Sequence, residues 1–373
     1  MMTATSTVRR DIDVLVPVHS ATRPIRRLVK SVLEDTVASV RVLIIAHDTP
    51  IEAIRSALGE YASDPRVEVL PFEDGIASPA GPLTYGLSCV DAPWFTKIDS
   101  DDLLSARALD SWLRTARRHR ADAVIPRMVT ELSRVNFPTP PRRPFRRVLD
   151  PVRDRLSYRT STMGLLSASF IDLAEPSAGL PTAEDVLPSL RLWFGASRVV
   201  RADDDAPYIV GESAHDRVTE TPLSLADQLA FIDRIAADLR LTDLAGRSMQ
   251  AIVRKLVRVH LLGAVSRRPE LYDDAARPAV ADAVEKLGRL APDFRAQLSR
   301  ADVALLSALV SRASTADIRA RAVSRRRYLR ISALIPVRLS AILAADAPLR
   351  FLAASAFALH RGDRRRLTDR IAE

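Results

Sequence analysis

Between residues 13 and 126, short β-branched runs alternate with segments whose apolar residues recur at three-and-four spacing, and no other feature restricts the fold so strongly. Asp13–Val18, Arg41–Ala46, Val67–Pro71, Trp94–Ile98 and Ala123–Pro126 are brief and apolar enough to be buried strands. Between the first two, Ile25, Leu28, Val29, Val32 and Leu33 mark one helix face, with Thr22 and Pro24 placed as cap and first-turn residue. Between the next two, Thr49 and Pro50 open a helix that aligns Ile51, Ile54, Leu58 and Tyr61. A β-α-β-α-β order predicts a largely parallel α/β sheet with right-handed crossovers.

In such sheets ligands bind beyond the carboxyl ends of the strands. Those ends are polar: Pro17-Val18-His19, His47-Asp48, Glu73-Asp74, and Asp99-Ser100-Asp101-Asp102. Two carboxylates two residues apart at a strand end, Asp99 and Asp101, can converge on one hard cation and its diphosphate. The competing reading makes the triplet a cap for the helical pattern through Leu109, Trp112 and Leu113.

At 373 residues the chain exceeds what one core usually serves, so two domains are expected. From about Thr221 the pattern becomes helical. Ser224-x-x-Asp227 has capping-box form, and Leu225, Leu229, Ile232, Ala236 and Leu239 trace an amphipathic helix. Further helical patterns cover 252–262, 280–290, 303–310 and 334–359, the last interrupted by prolines. Residues 136–155 concentrate proline and arginine and read as a loop or extended arm. The division expected is therefore 1–220, α/β and catalytic, and 221–373, all-helical and accessory.

The net charge of +9 rests on arginine, since lysine occurs only at Lys30, Lys97, Lys255 and Lys286. Such a surface suits anionic partners, but with 5% aromatics and no nucleic-acid motif, nucleic acid is not expected. A single cysteine, Cys89, excludes an intrachain disulfide or Cys-rich metal site. The N-terminus lacks a signal-peptide core and prolines and charges break 331–359, so no transmembrane helix is expected; the location expected is cytoplasmic, extending to the inner face of the cell membrane.

The segment up to about Glu220 resembles a family 2 glycosyltransferase with the GT-A fold. The opening DVLVPVHSATRPIRRLVKSVLEDT is similar to the family's first strand, Pro-x-Asn turn and first helix, with His19 in the place of asparagine. More specific is the run Gly86, Leu87, Val90, Ala92, Trp94, Ile98, Asp99, Asp101, Asp102, which matches the family spacing without a gap. The resemblance implies an inverting, non-processive transfer from a nucleoside diphosphate sugar, with UDP the expected nucleotide, to an acceptor hydroxyl. Asp101, Asp99 and His215, the last in a segment similar to the one that closes over the diphosphate, would hold Mn2+ or Mg2+. Pro17, His19 and Asp48 would frame the nucleotide, and Glu184-Asp185 resembles the segment that supplies the base, with Asp185 as the base itself. The bland reading of that pair is a helix-dipole effect. Leu83 and Thr84 stand where many members carry Arg-Asn, and the Gln-x-x-Arg-Trp signature of polymerising members is absent.

The acceptor implied is a glycan, polymer or lipid-linked molecule of a bacterial cell envelope. The basic run Arg325–Arg330 beside the apolar 331–359 segment suits peripheral contact with an anionic membrane or polymer, or a homo-oligomer interface. Two alternatives stay open: a catalytically degenerate GT-A domain that only binds such a surface, and a nucleotidyltransferase, which the lack of a Gly-rich turn after the first strand disfavours. His119 and His260 show no partner pattern and read as structural.

Overall fold

The computed structural model describes residues 10–131, 143, 146–203, 206–212, 223–311, 313–327, 329–344, 346–354 and 356. The five buried runs form β1 (Ile12–Val18), β2 (Val40–His47), β3 (Val67–Phe72), β4 (Trp94–Lys97) and β6 (Ala123–Ile125), and the intervening patterns form α1 (Ile25–Leu33), α2 (Ile51–Leu58), α3 (Ala80–Ser88) and α4 (Ala108–His119). Short strands β5 (Leu103–Leu104) and β7 (Met128–Thr130) follow β4 and β6. Then come β8 (Leu165–Ser167), α5 (Ile171–Ala174), α6 (Val186–Gly195), β9 (Val199–Arg201) and β10 (Tyr208–Val210).

One sheet runs β3-β2-β1-β4-β8-β6-β9. The first four strands are mutually parallel, as their helical crossovers require, and β8 is antiparallel to both β4 and β6. Inside β1 and β2 almost every side chain is buried, because the sheet packs on both faces. A smaller sheet, β5-β10-β7, includes the segment just beyond the acidic end of β4.

The one charge buried within β1 has a structural task. Asp13 is fully buried and accepts two 2.9 Å bonds from Arg41 on β2 and bonds from the N–H groups of Asp91 and Ala92. Burial alone would raise its pKa, but these bonds outweigh it and hold the carboxyl below its usual range. Asp13 thereby ties the lead into β4 to the sheet.

Two capping expectations fail locally. The Thr22 hydroxyl pairs with Ser20, and α1 begins after Pro24 with no side-chain cap. The acidic triplet caps no helix, since α4 starts at Ala108, after Arg107 in a left-handed conformation.

After residue 222 the chain is helical: α7 (Leu225–Leu229), α8 (Phe231–Ala237), α9 (Leu239–Thr242), α10 (Gly246–Lys255), α11 (Leu262–Arg267), α12 (Arg277–Leu290), α13 (Arg300–Val310) and α14 (Thr315–Arg325). Ser224 caps α7 by accepting from the Asp227 N–H at 3.1 Å. The long helix expected through Leu239 is instead broken, because Asp238 accepts from the Leu241 N–H and from Arg191 and starts a new turn; Leu239 points outward. Between α10 and α11 lies a π-turn, Leu256–Leu261. Within 334–359, Pro336 and Pro348 reduce the pattern to short turns and a helical stretch at 348–354. Among the described residues no helix is long and apolar enough to cross a membrane.

Helix α6 joins the two layers. Leu192 and Trp193 pack against the sheet, whereas Val186, Leu187 and Leu190 belong to the helical core with Ile232, Leu256 and Val257. The start of α6 is therefore held by the helical core and its end by the sheet.

Candidate active site

The first four strands each deliver expected residues to their carboxyl ends. At the end of β4, Asp101 meets Arg23 at 3.2 Å, and Asp99 meets Lys97 at 3.1 Å. Arg23 sits in the turn after β1 and also approaches His19 at 3.5 Å, so the β1 and β4 ends are bridged by a guanidinium. Pro17, half-buried, leads into the same turn.

The third carboxylate, Asp102, turns inward. It is buried and accepts from the Tyr208 hydroxyl at 2.5 Å and the Gly211 N–H at 2.8 Å. Burial first, then the charges of Asp99 and Asp101, push its pKa up to about 8. Tyr208 also accepts from the Asp99 N–H, so β10 grips the acidic turn from both sides. Gly211 lies so close that a Cβ there would come within 1.8 Å of the Asp101 carbonyl oxygen.

At the ends of β2 and β3, His47, Asp48 and Asp74 converge. The His47 Nε2 lies 2.8 Å from Asp74 and 3.2 Å from Asp48. Asp48 adopts a left-handed conformation at φ 46° and accepts from the Gly75 N–H. The His47 bond and the Ile76 N–H hold the Asp74 carboxyl below its usual range. The ligand atoms of this trio all lie within 4.8 Å of one another, close enough for a cation, although the same imidazole nitrogen already bridges both carboxylates.

The last constellation lies on the other side of Lys97. Ala183 at φ 63° and the Ser177 N–H bonded to the Glu184 carbonyl turn the chain into α6. Asp185 occupies the N-cap position of α6 and makes no side-chain cap bond, a place where its charge also faces the positive end of the helix dipole. Glu184, Asp185 and Lys97 line a shallow cleft whose other walls include Leu83, Leu87, Phe95 and Thr162. Burial first, then Glu184, raise Asp185 to about 7, while Lys97 and Lys255 oppose the shift. Burial alone would pull the Lys97 pKa down, and Asp99, Asp185 and Glu184 more than reverse it.

Lys97, Arg23 and Lys255 were not singled out by sequence reasoning. A signal existed for the lysines, since each is a rare residue set inside an otherwise apolar run. Lys255 is fully buried and lies 2.6 Å from His260 across the π-turn, so His260 does have a partner. His215 lies outside the described residues, as does much of the 136–155 arm.

Asp101 and Asp99 offer the hard oxygen donors a divalent cation takes, while Asp102 is committed to Tyr208 and Gly211. Asp101 and Asp99 are each paired with a cation, Arg23 and Lys97, and the group of three whose ligand atoms lie within 4.8 Å of one another among the described residues is His47, Asp48 and Asp74.

A parallel sheet with polar strand ends along one edge is the arrangement in which α/β folds bind ligands. Residues 13–172 match the model for glycosyl transferase family 2. Residues 13–172 thus carry a glycosyl transferase family 2 domain, and the fold is GT-A-like with a helical C-terminal portion. Among solved structures it is similar to S. aureus TarS 1-349 in complex with UDP-GlcNAc, at 17% identity and TM-score 0.71, over 86% of this chain and 93% of that one. The TarS 1-349 complex with UDP gives 17% identity and TM-score 0.68 over the same shares, and the longer TarS chain matches at 16% identity and TM-score 0.68 over 84% of this chain and 55% of that one. No curated protein matches by sequence.

Proposed function

We propose that the chain transfers a sugar from a nucleoside diphosphate sugar, UDP-linked, to an acceptor hydroxyl with inversion, and that Asp185 is the general base. The observation that carries this reading is the Asp185 carboxyl, half-buried on the cleft beside Lys97 with its pKa near 7, where a base is most effective at neutral pH. The likeness to a fold seen with UDP-GlcNAc in TarS supports the donor class. The acceptor oxygen attacks the anomeric carbon as the diphosphate departs on the opposite face, and Asp185 takes the proton. Lys97 keeps Asp99 and Asp185 from repelling each other. Asp48 and Asp74, fixed by His47, offer acceptors to the N–H groups of a base, with Pro17 and His19 at the neighbouring turn. Mn2+ or Mg2+ held by Asp101 and Asp99, and by His215 as the resemblance implies, would neutralise the leaving diphosphate.

Residues 1–220 are taken as catalytic and 221–373 as accessory, supported by the run of helices from Leu225 onward, whose core also takes in Leu180, Val186, Leu187 and Leu190. Exposed Arg326, Arg327 and Arg330 beside exposed Leu329, Ile331 and Leu343 favour contact of this portion with an anionic polymer or with the membrane's inner face. Incubation with UDP-, GDP- and dTDP-sugars, with and without Mn2+, tests the reading. Metal-dependent release of UDP is expected; no nucleotide released from any donor, with tight polymer binding instead, would leave only a binding module.

A further inference from the structure

Where the turn before β8 meets α10 and the π-turn, three guanidinium groups are packed together. Arg155 and Arg254 are each about 5% exposed or less, and Arg258 lies beside them. Their acid is Asp346, itself buried: Arg155 Nε reaches Oδ1 at 3.2 Å, Arg254 Nη2 reaches Oδ2 at 2.8 Å, and Arg258 Nη1 reaches the Asp346 carbonyl and the Tyr158 hydroxyl, each at 3.2 Å. Arg258 also faces Asp302 at 3.8 Å, but Asp302 is taken by Arg325 at 2.6 Å.

One carboxylate against three guanidiniums leaves two positive charges in excess in a buried place, which is costly unless more acceptors arrive. The shortage also shows atom by atom, since Arg155 Nη1 and Arg254 Nε and Nη1 are buried without a hydrogen-bond partner among the described residues. A planar carboxylate cannot reach all these donors; a tetrahedral oxyanion has oxygens for them and suits the arginine fork.

The segment that brings Asp346 is lightly held. Among its long apolar side chains, Leu339, Leu343 and Leu349 are exposed, and Phe351 is seated on the cluster itself, 5.1 Å from Arg155 and 4.8 Å from Arg258. Segments with few buried apolar contacts open at low cost.

We propose that Arg155, Arg254 and Arg258 form a binding site for a phosphate group carried by the acceptor, which Asp346 occupies as an internal stand-in and yields when the acceptor docks. This assignment rests on the transferase reading, because it gives that reaction a phosphate-bearing acceptor, held where the catalytic layer meets the helical one.

Isothermal titration of the full chain, saturated with UDP and Mg2+ and kept at constant ionic strength, tests it with dimethyl phosphate and inorganic phosphate as probes. Asp346→Asn should bind dimethyl phosphate at least about tenfold more tightly than wild type, and Arg254→Gln at least about tenfold more weakly, the effect of one charged hydrogen bond. UDP affinity should be unchanged in both. Equal responses in wild type and Arg254→Gln, or none in any protein that still binds UDP, would overturn the site. Response to inorganic phosphate alone would overturn the acceptor assignment. Should Asp346→Asn fail to fold, wild type against Arg254→Gln decides. Failure of UDP itself to bind sinks the donor assignment, while the same Arg254→Gln comparison without nucleotide still reads this site.

Discussion

Replacing Gly211 by alanine adds one methyl group and should disable the acidic turn. The new Cβ would stand 1.8 Å from the Asp101 carbonyl oxygen and 2.8 Å from its carbon. Ordinary contact begins near 3.4 Å, so one backbone must withdraw by roughly 1.6 Å. Neither partner is the end of a flexible side chain. Withdrawal of Gly211 breaks its 2.8 Å bond to Asp102, leaving that buried carboxylate with Tyr208. Leaving a buried acceptor without its partner costs about 1–3 kcal/mol, and that is the stability loss expected. Withdrawal of Asp101 instead misplaces a nucleotide-edge carboxylate, and a shift of about 1 Å can cost about 100-fold in rate. Urea unfolding and donor turnover should be measured on the same preparation of Gly211→Ala. Stability within about 0.5 kcal/mol of wild type together with unchanged turnover would refute the packing argument.

Four further outcomes follow from the charges. Asp101→Asn keeps the shape but removes a charge beside Arg23, so UDP affinity measured by titration should no longer rise when Mn2+ is added; a retained metal response would remove Asp101 as a ligand. Because Asp185 must be ionised to accept a proton, wild-type kcat/KM should rise with pH through about 7, the value to which burial and Glu184 raise it. Lys255→Met takes away a cation that lowers the Asp185 pKa, so this acid limb should move to higher pH, against the standing effects of Glu184, Asp99 and Lys97; an unmoved limb shows that Lys255 does not reach the base. Glu184→Gln removes a charge that raises Asp185, so its limb should move the other way, to lower pH, and a shift upward would contradict the assigned electrostatics.

The sheet was legible because buried parallel strands read as continuous apolar runs, and β1, β2, β3, β4 and β6 fall within a residue or two of their expected places. The strand ends were legible for the same reason: Asp48 follows β2, and Asp99 and Asp101 follow β4, at the places the apolar runs predict. What stayed hidden were partners distant in sequence. Asp102 reads as a helix cap until Tyr208 and Gly211, more than a hundred residues away, are folded against it. Arg23 and Lys97 look like ordinary charges until the site gives them carboxylates. In the helical portion, periodicity located the elements but not the break at Asp238, where Arg191 from α6 and a capped turn outweigh the amphipathic pattern.

The central claim is that the Asp185 carboxylate accepts the acceptor's proton in a single displacement. Steady-state transfer by Asp185→Asn, alongside UDP titration of the same protein, tests it most directly. Positioned proton abstraction is typically worth about 10²–10⁴-fold, so transfer should fall by that order with UDP and metal binding near wild type. Near-normal transfer by a variant that binds UDP as the wild type does would contradict the account.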